Sequence, residues 1–152
     1  MADIQAQKKI LIIDDTDHLR ITLKIRLEKM GFQVYTAMDG QEALTLMNTN
    51  KVLPDLILSD VMMPKVDGLV FLHTIKSQAR FKEIPVIMLT AKGEKKDILS
   101  ALQAGASDYI VKPFDGNILV EKIKTLFMKK TKDEELKRME QLKSISLDDI
   151  IQ

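Results

Sequence analysis

Asp55-Leu-Ile-Leu-Ser-Asp60-Val-Met-Met-Pro64-Lys-Val-Asp-Gly68 contains a run of three apolar residues, Leu56, Ile57 and Leu58, that stops abruptly at Ser59 and Asp60. A run this short, with Pro54 before it and a polar stop after it, predicts a strand buried on both faces. Asp60 then stands at the carboxyl end of a central parallel strand, the edge at which open α/β sheets place ligands and chemistry. Taken alone, Asp60 serves equally well to open a turn. The flanking sequence decides between the two.

Upstream, residues 10–13 (Ile-Leu-Ile-Ile) run into Asp14-Asp15 and repeat the pattern of an apolar strand ending in acid. Thr16-Asp17 offers a cap for a helix over about 16–30, with Leu19, Leu23, Leu27 and Met30 at helical spacing and Gly31 as its stop. Residues 32–37 predict a second strand. Asp39-Gly40 starts a helix to about Asn48, with Ala43, Leu44 and Met47 on one face. Downstream, a third helix begins at Asp67 or Gly68 and carries Leu69, Leu72 and Ile75. Residues 84–89 form a fourth strand closed by Thr90-Ala91, followed by a short helix with Ile98, Leu99 and Leu102. Residues 109–111 form a fifth strand ended by Lys112-Pro113, and a fifth helix after Asp115 bears Leu119, Ile123 and Leu126. Strand and helix alternate five times. The chain is therefore expected to be α/β, a doubly wound five-stranded parallel sheet with right-handed crossovers and both faces covered.

The chain has 152 residues, enough for one domain with an appendage, and 45% hydrophobic content supports a proper core. A net charge of +1 supplies no bulk attraction to nucleic acid or anionic membrane. Without cysteine there is no disulfide, thiolate nucleophile or cysteine metal site, which fits a reducing, cytoplasmic setting. The first residues lack the build of a signal peptide, and no apolar run approaches the roughly 20 residues that span a bilayer. Residues 8–128 form the expected domain, with 129–152 as a helical tail or linker. Six basic and six acidic residues in 129–152 exclude a basic nucleic-acid arm. Leu136, Met139 and Leu142 leave one thin apolar seam, a surface for pairing in a dimer, and Ser146-Leu-Asp-Asp149 reads as a capping box before a new apolar run.

Four strand ends thus carry Asp14-Asp15, Asp60, Thr90 and Lys112. In a doubly wound sheet these strands can be neighbours, and their ends converge on one edge. Clustered carboxylates repel one another unless a cation lies among them. All donors there are hard oxygens, with no His or Cys, which selects Mg²⁺, with Mn²⁺ as a surrogate. Such an ion keeps several waters and binds phosphate oxygens as well. Asp60 is then placed as a carboxylate nucleophile toward phosphorus, forming an acyl phosphate. Lys112 and the Thr90 hydroxyl face the remaining equatorial oxygens. Each residue has an ordinary structural reading of its own: a cap, a strand end, a solvated lysine. The joint pattern is what points to phosphoryl chemistry. His18 and His73 have no second ligand at metal spacing and read as surface histidines.

These motifs resemble the receiver domain of bacterial two-component response regulators, the CheY-like family. The resemblance rests on Asp14-Asp15, Asp60 with Met63-Pro64 and Asp67-Gly68, Thr90-Ala91 and Lys112-Pro113. It implies the flavodoxin-like strand order 2-1-3-4-5 with a C-terminal helical extension. It also implies that Asp60 accepts a phosphoryl group from a sensor histidine kinase or phosphotransfer protein. Asp15, Asp60 and the Met62 carbonyl look like Mg²⁺ ligands, with Asp14 acting partly through water. Lys112 looks like the phosphoryl partner, joined to Pro113 by a cis peptide. Thr90 and Tyr109 resemble a switch pair: Thr90 moves toward the phosphoryl group, Tyr109 turns inward, and the surface of the fourth helix, fifth strand and fifth helix changes toward its protein target or output domain. Without the resemblance, Tyr109 is a half-buried strand aromatic. Met62 and Lys92 would flank the path of an attacking water, and an apolar Met62 cannot orient it, so slow autodephosphorylation is expected.

Two functions lead over a third reading, a receiver-like module that never takes phosphate, against which the complete set of Asp14, Asp15, Asp60, Thr90 and Lys112 argues. One is a phosphorylation-dependent signalling switch, not an enzyme beyond its own phosphorylation and dephosphorylation, without direct contact to nucleic acid or membrane. The other is an aspartyl-phosphate-forming phosphohydrolase. Haloacid-dehalogenase-type enzymes want a second Asp two residues after the nucleophile, and here that position is Met62.

Overall fold

Three strands are apolar almost without interruption, and this sets the architecture of the computed structural model, which describes residues 8–49, 51–61, 67–91 and 95–151, with side chains to 142. β1 (Lys9–Ile13), β3 (Leu56–Asp60) and β4 (Val86–Thr90) are buried nearly end to end. Strands with no solvated face belong inside a parallel sheet covered on both sides. β2 (Gln33–Ala37) and β5 (Asp108–Val111) mix half-buried and exposed residues and take the edges. The order is β2-β1-β3-β4-β5 and every pairing is parallel. This is the expected flavodoxin-like order.

The helices follow in strict alternation: α1 (Asp17–Lys29), α2 (Gly40–Asn48), α3 (Gly68–Lys76), α4 (Lys95–Gln103) and α5 (Gly116–Ile151). The chain divides into two units, Met1–Pro113 and Phe114–Gln152. The first holds the whole sheet and a core that includes Leu11, Ile57, Phe71, Leu72, Phe81 and Met88. Each aliphatic or aromatic side chain buried there contributes roughly 1.5–3 kcal/mol against its exposed state.

Local chemistry explains most boundaries. Gly31 ends α1 with φ of 100°, a left-handed conformation, and its N–H donates to the Glu28 carbonyl at 3.0 Å. The Asp39 carboxylate accepts the Glu42 N–H at 2.9 Å and starts α2. The expected cap of α1 differs. Thr16 occupies the cap position but its side chain makes no capping bond; instead its own N–H donates to the Asp14 carboxylate at 2.8 Å. The neighbouring acid has turned the chain before the hydroxyl is needed.

Helix faces also depart from expectation. α3 buries Phe71, Leu72 and Ile75, while Leu69 is half-buried. α4 buries only Ala101, and Leu99 and Leu102 stay 45% and 40% exposed. At about 100° per residue, a helix with Ala101 facing inward carries Leu99 some 160° away from it. In α5, Leu119, Ile123 and Phe127 are buried, and Leu126 is half-buried. α5 continues through residue 129 and through the expected capping box at Ser146 to Ile151 as one helix. Residues 129–151 contain no Gly or Pro and are rich in Lys, Glu, Leu and Met, so nothing breaks it.

Candidate functional site

The sheet register builds the site. Ile13 lies opposite Ser59, so Asp14 and Asp60 leave adjacent strands at the same level. Asp60 pairs with Leu89, and Thr90 with Val111, which brings Thr90 and Lys112 to the same edge. The Lys112 N–H donates to the Thr90 carbonyl at 2.7 Å, and the Lys112–Pro113 bond is cis. Asp14 and Thr90 are buried with Asp60, at 0%, 5% and 6% exposure, while Asp15 is exposed.

One carboxylate oxygen each from Asp14, Asp15 and Asp60 lie within 4.8 Å of one another. Burying two of these charges side by side is costly unless a cation is near. Lys112 is half-buried beside them, its Nζ 2.8 Å from Asp14 Oδ2 and 3.4 Å from Asp60 Oδ2. Burial pushes the Lys112 pKa down. The hydrogen bond and charge of Asp14, with the charge and hydrogen bond of Asp60, outweigh that and hold it above the ordinary lysine value. The donor set is all oxygen, with two buried acids and one open to solvent, and it fits a hard metal ion.

Behind Asp60 the chain is packed to its limit. A Cβ on Gly68 would run into the Asp60 carbonyl oxygen and come within 2.8 Å of Val61 Cα. The Gly68 N–H instead donates to the Val61 carbonyl at 2.9 Å, and the Asp67 carboxylate accepts the Leu69 N–H at 2.7 Å to begin α3. Only glycine lets α3 begin this close to the tip of β3.

Asp14, Asp15, Asp60, Thr90 and Lys112 thus meet at one edge. Thr90 and Tyr109 line one cavity of about 140 Å³, together with Val61, Leu69, Met88 and Ala101. Met62 and Lys92 lie outside the described residues. His18 and His73 are exposed and belong to no metal-like cluster among the described residues. Sequence reasoning missed Arg20. Its guanidinium donates to the Asp14 carbonyl oxygen at 2.6 Å and pairs with Asp17. Its position three after Asp17 on a helix was the available signal.

A parallel 2-1-3-4-5 sheet with clustered acids and a lysine at its carboxyl edge defines the class of receiver-like α/β domains. The family model for the response regulator receiver domain matches residues 10–124, and the chain belongs to that family. Among curated relatives, the "Probable transcriptional regulator ycf27" of Cyanophora paradoxa is 42% identical over 120 residues, 79% of this chain and 48% of its own. The "Alkaline phosphatase synthesis transcriptional regulatory protein PhoP" of Bacillus subtilis (strain 168) is 41% identical over 119 residues, 78% of this chain and 48% of its own. The chain spans about half the length of the curated relatives it matches. Of solved structures, the Francisella response regulator 1452 receiver domain superposes with TM-score 0.75 at 32% identity, covering 82% of this chain and 99% of that one. Vibrio cholerae CheY4 gives 0.72 at 32% identity, covering 78% and 97%. These relatives are named as regulators, so the phosphohydrolase alternative gains nothing from them. No helix among the described residues is long and apolar enough to cross a membrane.

Proposed function

We propose that this receiver domain is a phosphorylation-dependent signalling switch in which Asp60 is the phosphoacceptor. The observation that carries this reading is the burial of Asp60 within 4.8 Å of Asp14 and Asp15, with Lys112 Nζ at 3.4 Å. An Asp60 oxygen attacks the phosphorus of a phosphohistidine on a sensor kinase or phosphotransfer protein. The new O–P bond forms as the P–N bond breaks, and the imidazole leaves with the electron pair. Asp14, Asp15, Asp60 and the Met62 carbonyl would hold Mg²⁺, or Mn²⁺ in its place, which supplies neutralisation of the phosphoryl charge. Lys112 moves from Asp14 toward the transferred group.

The Thr90 hydroxyl and Tyr109 then act as the switch. Thr90 draws toward the phosphoryl oxygens, and the Tyr109 ring turns into the cavity both residues line. The readout is a change at the surface of α4 and β5, which a downstream protein or an output domain recognises. Any contact to DNA belongs to such a further domain. The protein acts in the cytoplasm and is no enzyme beyond its own phosphorylation and dephosphorylation.

The test uses acetyl phosphate and Mg²⁺, with phosphoprotein resolved by gel shift and mass. The parent is expected to take one phosphoryl group and Asp60→Asn none. Equal labelling of both would overturn the assignment. Beryllofluoride with Mg²⁺ is expected to shift the Tyr109 resonances in the parent and leave those of Thr90→Ala closer to the resting state.

A further inference from the structure

Asp14 is gripped on every polar atom. Its N–H donates to the Ala37 carbonyl at 3.2 Å, and its carboxylate accepts from the Thr16 N–H and from Lys112, each at 2.8 Å. Its carbonyl oxygen takes the Arg20 guanidinium at 2.6 Å. Asp15 differs: its side chain is exposed and has no hydrogen bond among the described residues. No neighbouring group among the described residues holds its carboxylate, so the space that carboxylate can reach depends on where the backbone places its Cβ.

That backbone is fixed from one side by the peptide plane joining Asp14 to Asp15. The plane is rigid, so holding its carbonyl oxygen fixes where the Asp15 Cα points. The group that holds it is a guanidinium with only 12% of the side chain exposed. Arg20 is itself steadied twice, by pairing with Asp17 and by its N–H to the Thr16 carbonyl at 3.1 Å.

We infer that Arg20 is a positioning residue for the metal site, holding the Asp14–Asp15 peptide so that the Asp15 carboxylate converges on Asp14 and Asp60. The inference rests on the phosphoacceptor reading above. Groups that orient a ligand from behind typically change metal affinity by about 10–100-fold. The alternative role, a positive charge beside a cation site, carries the opposite sign: removing that charge tightens Mg²⁺ binding.

Titration with Mg²⁺ alone, followed by calorimetry and backbone amide spectra, separates the two. The parent is expected to bind, Arg20→Ala to bind about tenfold more weakly, and Arg20→Lys to recover part of the loss through its remaining donor. Asp17→Asn, which leaves the carbonyl bond in place, is expected to stay near the parent. In metal-free protein the Asp15 amide resonance of Arg20→Ala is expected to broaden or shift. Mg²⁺ binding by Arg20→Ala as tight as, or tighter than, the parent's overturns the inference. Arg20→Gln, which keeps the stem and loses the reach, carries the same test should the alanine variant fail to fold. A parent that binds no Mg²⁺ removes the phosphoacceptor reading first, and this inference with it.

Discussion

Lys112 is shared unequally between two acids, 2.8 Å from Asp14 and 3.4 Å from Asp60, and its pKa lies above that of an ordinary lysine. A raised folded-state pKa means the ammonium's contribution to stability is fully present below the unfolded value. It fades as pH climbs through the folded one. Stability from this group is therefore expected to be flat through neutral pH and to fall only in the alkaline range above about pH 10.4, the ordinary lysine value. Denaturant midpoints of parent and Lys112→Met across that range check it: the parent's extra loss is expected to be absent in the variant. Gly68 makes a second claim at this scale. Gly68→Ala must push the Asp60 carbonyl or α3 aside, and a cost of about 1–3 kcal/mol is expected, with phosphorylation slowed as Asp60 is displaced. Unfolding curves and the labelling rate test both halves.

Secondary elements show where burial pattern and residue identity part company. In α4 the inward position belongs to Ala101, and the larger Leu99 and Leu102 remain outside. Ala101→Phe is therefore expected to cost about 1–3 kcal/mol through overpacking, whereas Leu99→Gln changes stability by under about 0.5 kcal/mol. Thermal melts of the two variants decide. β1, β3 and β4 were legible in advance because an apolar run with no polar face has no place except inside a parallel sheet. Their polar stops, Asp14, Asp60 and Thr90, were legible for the same reason. The face of α4 was not, because size is a poor guide to which residue points inward when a small one allows closer approach. The role of Arg20 was not, because its spacing from Asp17 marks only the pair on α1, while its bond to the Asp14 carbonyl leaves no mark in the pattern of side chains. The cap of α1 falls at Thr16 as expected, but the capping bond does not, since the Thr16 N–H is taken by the Asp14 carboxylate and the Thr16 hydroxyl makes no bond to the helix.

At the scale of the whole molecule, all the described site residues lie in the unit Met1–Pro113, and residues 131–142 of α5 are exposed throughout. Ending the chain after Lys130 is therefore expected to leave the rate of phosphorylation by acetyl phosphate unchanged and to lower far-UV helical signal. A large drop in labelling would show that the long helix takes part in the chemistry. The bond between Lys112 and Asp14 has a further consequence. The resting protein keeps its own counter-ion in reserve, a tethered ammonium standing where a divalent ion would otherwise be needed to quiet the acids. Chelators are then expected to silence the domain without melting it, in contrast to small metal-built folds that collapse when stripped. A receiver of this kind is expected to keep its fold in an ion-poor state and to take up the ion when it returns.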